Sequence, residues 1–225
     1  MLCEVIIPTK SNRLGVEKLI PQLLADPTVS KIHLIADGTD AFQWVQAVAS
    51  EKVIVDEVTK GAGIHVMWNK GLGKIAEGSF ASFINDDIII IGNAVSAMCA
   101  TLMRCPELGI VCPNYDGRVI TDDYVPVVMT CGGNYVGGGG LGGFCMTLPP
   151  DLAREWRFDE RMIWWYGDDD VLAWVRLEKL KVAGICRGAI CANNESWTIT
   201  HDPPPDFVAI TSNDGMIYRE KWSGR

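Results

Sequence analysis

The chain has 225 residues, 48% of them apolar, and a net charge of −8, a length that suits one α/β domain better than two very small ones. That composition excludes global disorder, and with no run of Lys or Arg no basic patch for a nucleic-acid backbone is visible. Residues 1–10 lack the basic segment, long apolar stretch and cleavage site of a signal peptide. The longest apolar run, around residues 88–91, is stopped by Gly92 and Asn93, far short of the ~20 residues a membrane span needs. A cytoplasmic protein without an integral membrane segment is expected. The eight cysteines are scattered and none has C-x-x-C spacing. Cys99, Cys145 and Cys186 fall inside apolar runs, as buried reduced thiols do.

In chain order, residues 3–7 read as a buried strand stopped by Pro8. Leu14, Leu19, Ile20, Leu23 and Leu24 recur at helical spacing until Asp26-Pro27. Residues 32–36 form a second strand ended by the turn Asp37-Gly38, residues 42–49 a helix, and residues 53–58 a third strand. A helix over 69–77 then leads to a strand over 80–84. Strands alternating with helices predict right-handed crossovers and a mainly parallel sheet. Ligands bind such sheets beyond the carboxyl ends of the strands. Pro8-Thr9-Lys10, Asp37-Gly38 and Asn85-Asp86-Asp87 should therefore share one rim.

The second half changes character. Residues 132–143 contain eight glycines, which suits close backbone approach to a ligand rather than a regular element. Residues 156–165 are aromatic-rich, Asp168-Asp169-Asp170 opens a helix, and residues 182–186 form a late strand. Pro203-Pro204-Pro205 is extended and leads to a polar tail.

Two acidic clusters carry the chemistry. Adjacent carboxylates such as Asp86-Asp87 repel, and a divalent cation bridging a diphosphate relieves that cost. A plain turn is the competing reading, because Asn and Asp are common turn formers. Asp168-Asp169-Asp170 exceeds what helix capping requires, and crowding raises carboxyl pKa values in the direction a general base needs. Trp164, Trp165 and Tyr166 offer flat surfaces for sugar rings, against core packing as the plainer role. His201, after the last strand, is a candidate third metal ligand. The glycine loop has no following G-K-[ST], and no G-x-G-x-x-G opens a helix after the first strand, which disfavours a nucleotide hydrolase or dinucleotide oxidoreductase.

In this order the motifs resemble the family 2 glycosyltransferases of the GT-A fold. Val5-Ile6-Ile7-Pro8-Thr9 resembles their first strand and nucleotide-binding turn, and Ile35-Ala36-Asp37-Gly38-Thr39 their D-G-[ST] segment. Asn69-Lys70-Gly71 followed by Phe83-Ile84-Asn85-Asp86-Asp87 resembles the helix that leads into the D-x-D motif, with Asn85 in place of the first acid. Phe158-Asp159-Glu160-Arg161 and Tyr166-Gly167-Asp168-Asp169-Asp170 resemble the F-D-E-R segment and the acceptor-side acid pair. Lys221-Trp222-Ser223-Gly224 resembles the tail of some short members.

The resemblance implies a single domain with a nucleotide-sugar half (1–92), an acceptor half (93–202) and a C-terminal tail (203–225). It implies a nucleotide diphosphate sugar donor, UDP-sugar by default, held by Pro8, Thr9, Lys10, Asp37, Asn69, Asn85 and Asp86. A divalent metal, Mn²⁺ or Mg²⁺, would sit on Asp87 and His201. The base of an inverting displacement would be Asp169 or Asp170, depending on whether Tyr166-Gly167 or Arg176 anchors the alignment, with Asp168 beside them. Gly142, Gly143, Trp164, Trp165 and Tyr166 would contact sugar or acceptor. The acceptor is left open among glycan, protein, lipid-linked sugar and modified nucleobase. A nucleotidyltransferase and a non-catalytic sugar-binding module of the same fold are the alternatives.

Overall fold

A computed structural model of the chain describes residues 2–115, 117–129, 135–136, 141–193 and 200–224. The first half winds as the alternation predicts. Strands β1 (Cys3–Thr9), β2 (Val29–Asp37), β3 (Val53–Val58) and β4 (Phe80–Ile84) are mutually parallel in the order β3-β2-β1-β4. Helices α1 (Arg13–Ala25), α2 (Thr39–Val45, prolonged by a 3-10 turn at Gln46–Val48) and α3 (Ile64–Leu72) connect them.

Every residue of β1 is buried because both faces of the sheet are covered. Val5 and Ile7 enter one apolar layer with α1, while Ile6 enters the other with α3. The result is a continuous apolar run instead of an alternating one. Even Glu4 is buried. Its carboxylate meets His33 Nε2 at 2.6 Å and accepts the Ala76 N–H at 3.1 Å. At Gly71 a Cβ would sit 2.4 Å from Ile6 Cγ2, so only glycine lets α3 lie this close to β1.

After β4 the sheet becomes mixed. The chain runs through β5 (Ile88–Ile91), α4 (Ala94–Arg104), β6 (Leu108–Asn114), β7 (Tyr124–Met129), β8 (Tyr135–Val136) and β9 (Cys145–Leu148). Helices α5 (Pro150–Glu155) and α6 (Gly167–Leu177), strand β10 (Val182–Asn193) and helix α7 (Phe207–Trp222) complete it. Among the described residues the order is β3-β2-β1-β4-β9-β6-β10-β7-β8, with β5 on β10. Strand β9 lies antiparallel between β4 and β6, and β6 and β10 form a second parallel pair. The α/β class and the parallel sheet of the first half agree with the sequence reading.

Several elements differ from it, among them the late strand, which continues from Cys186 to Asn193. Helix α3 starts at Ile64, not 69, because its buried stripe of Met67, Trp68 and Leu72 begins earlier, after a left-handed Gly63 (φ 93°). The polar tail is the 16-residue helix α7, whose sparse apolar face masks its helical period. The seven described cysteines are free and buried; Cys131 lies outside the described residues. No helix among the described residues is long and apolar enough to cross a membrane.

Candidate active site

Strands β1 and β4 are parallel neighbours, with Ile6 opposite Phe83, so their carboxyl ends emerge side by side. Thr9 Oγ1 donates to Asp86 Oδ2 at 2.5 Å. Asn12 Nδ2 donates to the Asp86 carbonyl at 3.0 Å, while Asn12 Oδ1 caps α1 by accepting the Gly15 N–H. Asp86 thus faces inward as the tie between two strand ends, and burial pushes its carboxyl up to about 7 against the opposing Thr9 bond. Asn85 and Asp87, on either side, line a cleft of about 260 Å³.

The opposite wall is Trp164, Trp165, Tyr166, Gly167 and Asp168, with Ile64, Met67 and Trp68 of α3 also lining the cleft. The wall is held from behind by α7. Asp214, fully buried, accepts the backbone N–H groups of Ile163, Trp164 and Trp165 at 2.9–3.0 Å. Tyr166 caps α6 in the left-handed conformation (φ 65°) and stacks on Tyr218 at 5.4 Å. Such a conformation costs a non-glycine residue about 1 kcal/mol or more and persists only where its surroundings enforce it.

The three acids at the start of α6 have separate environments. Asp168 lines the cleft and packs directly on Gly143, where a Cβ would come within 2.5 Å of its carboxyl. Burial raises its pKa, opposed by the N–H groups of Asp168 and Asp169. Asp169 is pushed up to about 6, first by burial and then by Asp170. Asp170 is 0% exposed, with Lys221 Nζ at 2.9 Å on one oxygen and Trp222 Nε1 at 2.8 Å on the other. Asp170, expected as a possible base, thus ties α6 to α7, its carboxylate engaged by Lys221 and Trp222.

The cleft brings together Pro8, Thr9, Lys10, Asn85, Asp86, Asp87, Gly143, Trp164, Trp165, Tyr166 and Asp168. Asn69 does not join them. Its amide is spent on segment 158–160, accepting the Phe158 N–H at 2.8 Å and donating to Phe158 O and Glu160 Oε1 at 2.9 Å. Gly142 sits behind the cleft against Tyr115 and Phe144. Most of the glycine loop, 132–134 and 137–140, lies outside the described residues.

Asp37 stands beyond the cleft at the end of β2. Its Oδ1 accepts the Gly61 N–H at 2.6 Å, and its Oδ2 is buried without a hydrogen-bond partner among the described residues. Burial raises its pKa, opposed by Gly61, Lys10 and Lys60. His201 is exposed, next to an Asp202 that pairs with Lys10. Among the described residues no three His, Cys, Asp or Glu side chains converge as a ready-made metal cage. The cleft nevertheless suits a hard cation that keeps open positions. It carries the carboxylates of Asp87 and Asp168, and Asn85 Oδ1 is a buried acceptor with no protein donor among the described residues.

No family model and no curated protein matches the chain. Solved structures do match. S. aureus TarS 1–349 in complex with UDP superposes with a TM-score of 0.62 at 13% identity, over 99% of this chain and 72% of that one. Mannosyltransferase PcManGT from Pyrobaculum calidifontis, in complex with GDP-Man and Mn²⁺, gives 0.66 at 12% identity, over 97% and 63%. GalNAc-T7 with UDP, GalNAc and Mn²⁺ gives 0.69 at 12% identity, over 98% and 48%. The chain has the GT-A glycosyltransferase fold. At such identities the likeness is one of fold, and the chain spans only about half to three quarters of these neighbours.

Within this GT-A fold, several residues that shape the site escape sequence reasoning. Asp214 and Lys221 act from a helix more than 40 positions away from the groups they hold. His65, 0% exposed, donates from Nδ1 to the Met162 carbonyl at 2.5 Å and so pins α3 to the aromatic segment. A His one turn before Asn69 on a buried helical stripe was the available signal.

Proposed function

We propose that the protein is a metal-dependent inverting glycosyltransferase, moving a sugar from a nucleotide diphosphate sugar to an acceptor hydroxyl. The observation that carries this reading is one cleft with Lys10, Asn85 and Asp87 on the sheet side and Asp168 on the aromatic side. Neighbours of the same fold solved with UDP, with GDP-Man and Mn²⁺, and with UDP, GalNAc and Mn²⁺ support the donor class.

Lys10 would hold the diphosphate, and Asp37, with a buried oxygen seeking a donor, the nucleoside. Asp87 and Asn85 would hold the cation, which when bound supplies positive charge against the leaving diphosphate. His201 stays a proposed further ligand. Asp168 takes the acceptor hydroxyl proton as that oxygen attacks the anomeric carbon. The bond from that carbon to the diphosphate oxygen breaks in the same displacement, and the product carries inverted configuration. Asp169, raised to about 6, stands beside Asp168 as the second candidate. Trp164, Trp165 and Tyr166 offer stacking faces for a sugar ring.

The test is thermal shift against nucleoside diphosphates with Mn²⁺ or EDTA. A ligand at ~100 times its Kd should stabilise by about 2.7 kcal/mol, several degrees at this size. The gain should need metal and vanish in Asp87→Ala. Asp168→Asn should keep the shift and lose donor turnover by roughly 100-fold or more. If no nucleotide shifts the wild type, the reading fails.

A further inference from the structure

Lys10 is the only basic residue among the described residues that line the cleft, which also carries Asp86, Asp87 and Asp168. An anion entering that cleft depends on it. Yet Lys10 is already engaged: Nζ lies 3.0 Å from Asp202 Oδ2 and donates to the Asp202 carbonyl at 3.2 Å. The two side chains are 20% and 47% exposed, so the pair closes at the mouth of the cleft and not within the core. Asp202 also bears electrostatically on Asp37 and Lys60, and Lys60 pairs with Asp40 at 3.0 Å. The ends of β1 and β2 thus carry a cluster of alternating charges in which Asp202 is contributed by the late segment. Pro203-Pro204-Pro205 follows directly, a stiff stretch that limits how far the carboxylate can swing away.

We propose that Asp202 is a counter-ligand of Lys10, an internal anion that a nucleoside diphosphate must displace. Asp202 lowers donor affinity, and binding breaks its pairing with Lys10. The proposal rests on the donor-site reading above. A half-exposed ion pair contributes little, so the handicap is modest.

The experiment is calorimetric titration of UDP, GDP, ADP, CDP and dTDP, each with Mn²⁺, into wild type, Asp202→Asn, Lys10→Gln and the double variant. Circular dichroism confirms the native fold of each. Asp202→Asn should bind the preferred nucleotide roughly two- to five-fold more tightly than wild type. Lys10→Gln should bind it more weakly, and in that background Asp202→Asn should add nothing, because its effect acts through Lys10. Unchanged or weaker binding by Asp202→Asn, or a gain that persists without Lys10, overturns the counter-ligand while leaving the donor site standing. No binding of any of the five nucleotides by natively folded wild type and variants overturns the donor-site reading, and the proposal with it.

Discussion

Asp214 shows how much one side chain can hold. Three backbone N–H groups converge on its buried carboxylate, and without it all three lose their acceptor in a partly buried loop. Asp214→Ala should cost about 3 kcal/mol, read as a fall in Tm of roughly 6–12 °C. His65 gives a pH signature. Burial lowers its pKa below the ordinary 6.5, against the Met162 carbonyl and the charges of Asp214, Asp170 and Asp159, which favour protonation. Its folded-state pKa is therefore depressed. The unfolded chain takes up the proton first, so this contribution is full above about pH 6.5 and declines as pH falls below it. Asp86 and Asp169, raised to about 7 and about 6, contribute with the opposite sign in the same range. The His65 contribution is therefore read as a difference: thermal unfolding between pH 7.5 and 5 should show wild type losing stability relative to His65→Asn, whose side chain is neutral throughout. Asp87, Asp168, Trp164 and Trp165, which line one cleft, were conspicuous in the sequence because their types are costly or unusual at a strand or helix end. His65 and Asp214 were not, since their roles exist only through partners 49 to 97 residues away.

At the scale of elements, α7 is the brace of the aromatic wall of the cleft. It contributes Asp214 to the loop, Tyr218 to Tyr166, and Lys221 with Trp222 to Asp170. Asp170 is 0% exposed, so Lys221→Met leaves a buried carboxylate short of its counter-charge and should destabilise by about 3 kcal/mol. Adding Asp170→Asn should recover part of that loss. Chemical denaturation of the two single variants and the double variant measures the coupling, and simple additivity would refute the brace. The sequence resemblance placed Lys221-Trp222 as a tail motif without a task; the task is packing against α6. Helix α7 itself was not legible, because most of its surface is polar and its apolar contacts are few. The parallel strands β1 to β4 were legible, each being a compact apolar run bounded by a turn.

Across the whole molecule, one sheet joins both halves of the site through the β4–β9 pairing, and apolar layers cover its two faces. The two halves of the chain therefore share strands and core. Unfolding should be a single transition, with far-ultraviolet dichroism and tryptophan fluorescence coinciding. Separate midpoints would mean that the halves fold independently.

The amino-acid sequence by itself determined the α/β class, the parallel pairing of the first strands and the rim on which Lys10, Asp37 and Asp87 emerge. Apolar period and strand-end polarity are local properties, readable wherever a run is long enough. Only the tertiary structure decided which of three adjacent aspartates meets the cleft, that Asn69 clasps segment 158–160, and that Asp202 holds Lys10. Those outcomes depend on what a distant segment brings to each side chain: a lysine turns Asp170 into an anchor, and a glycine leaves Asp168 room to face the cleft.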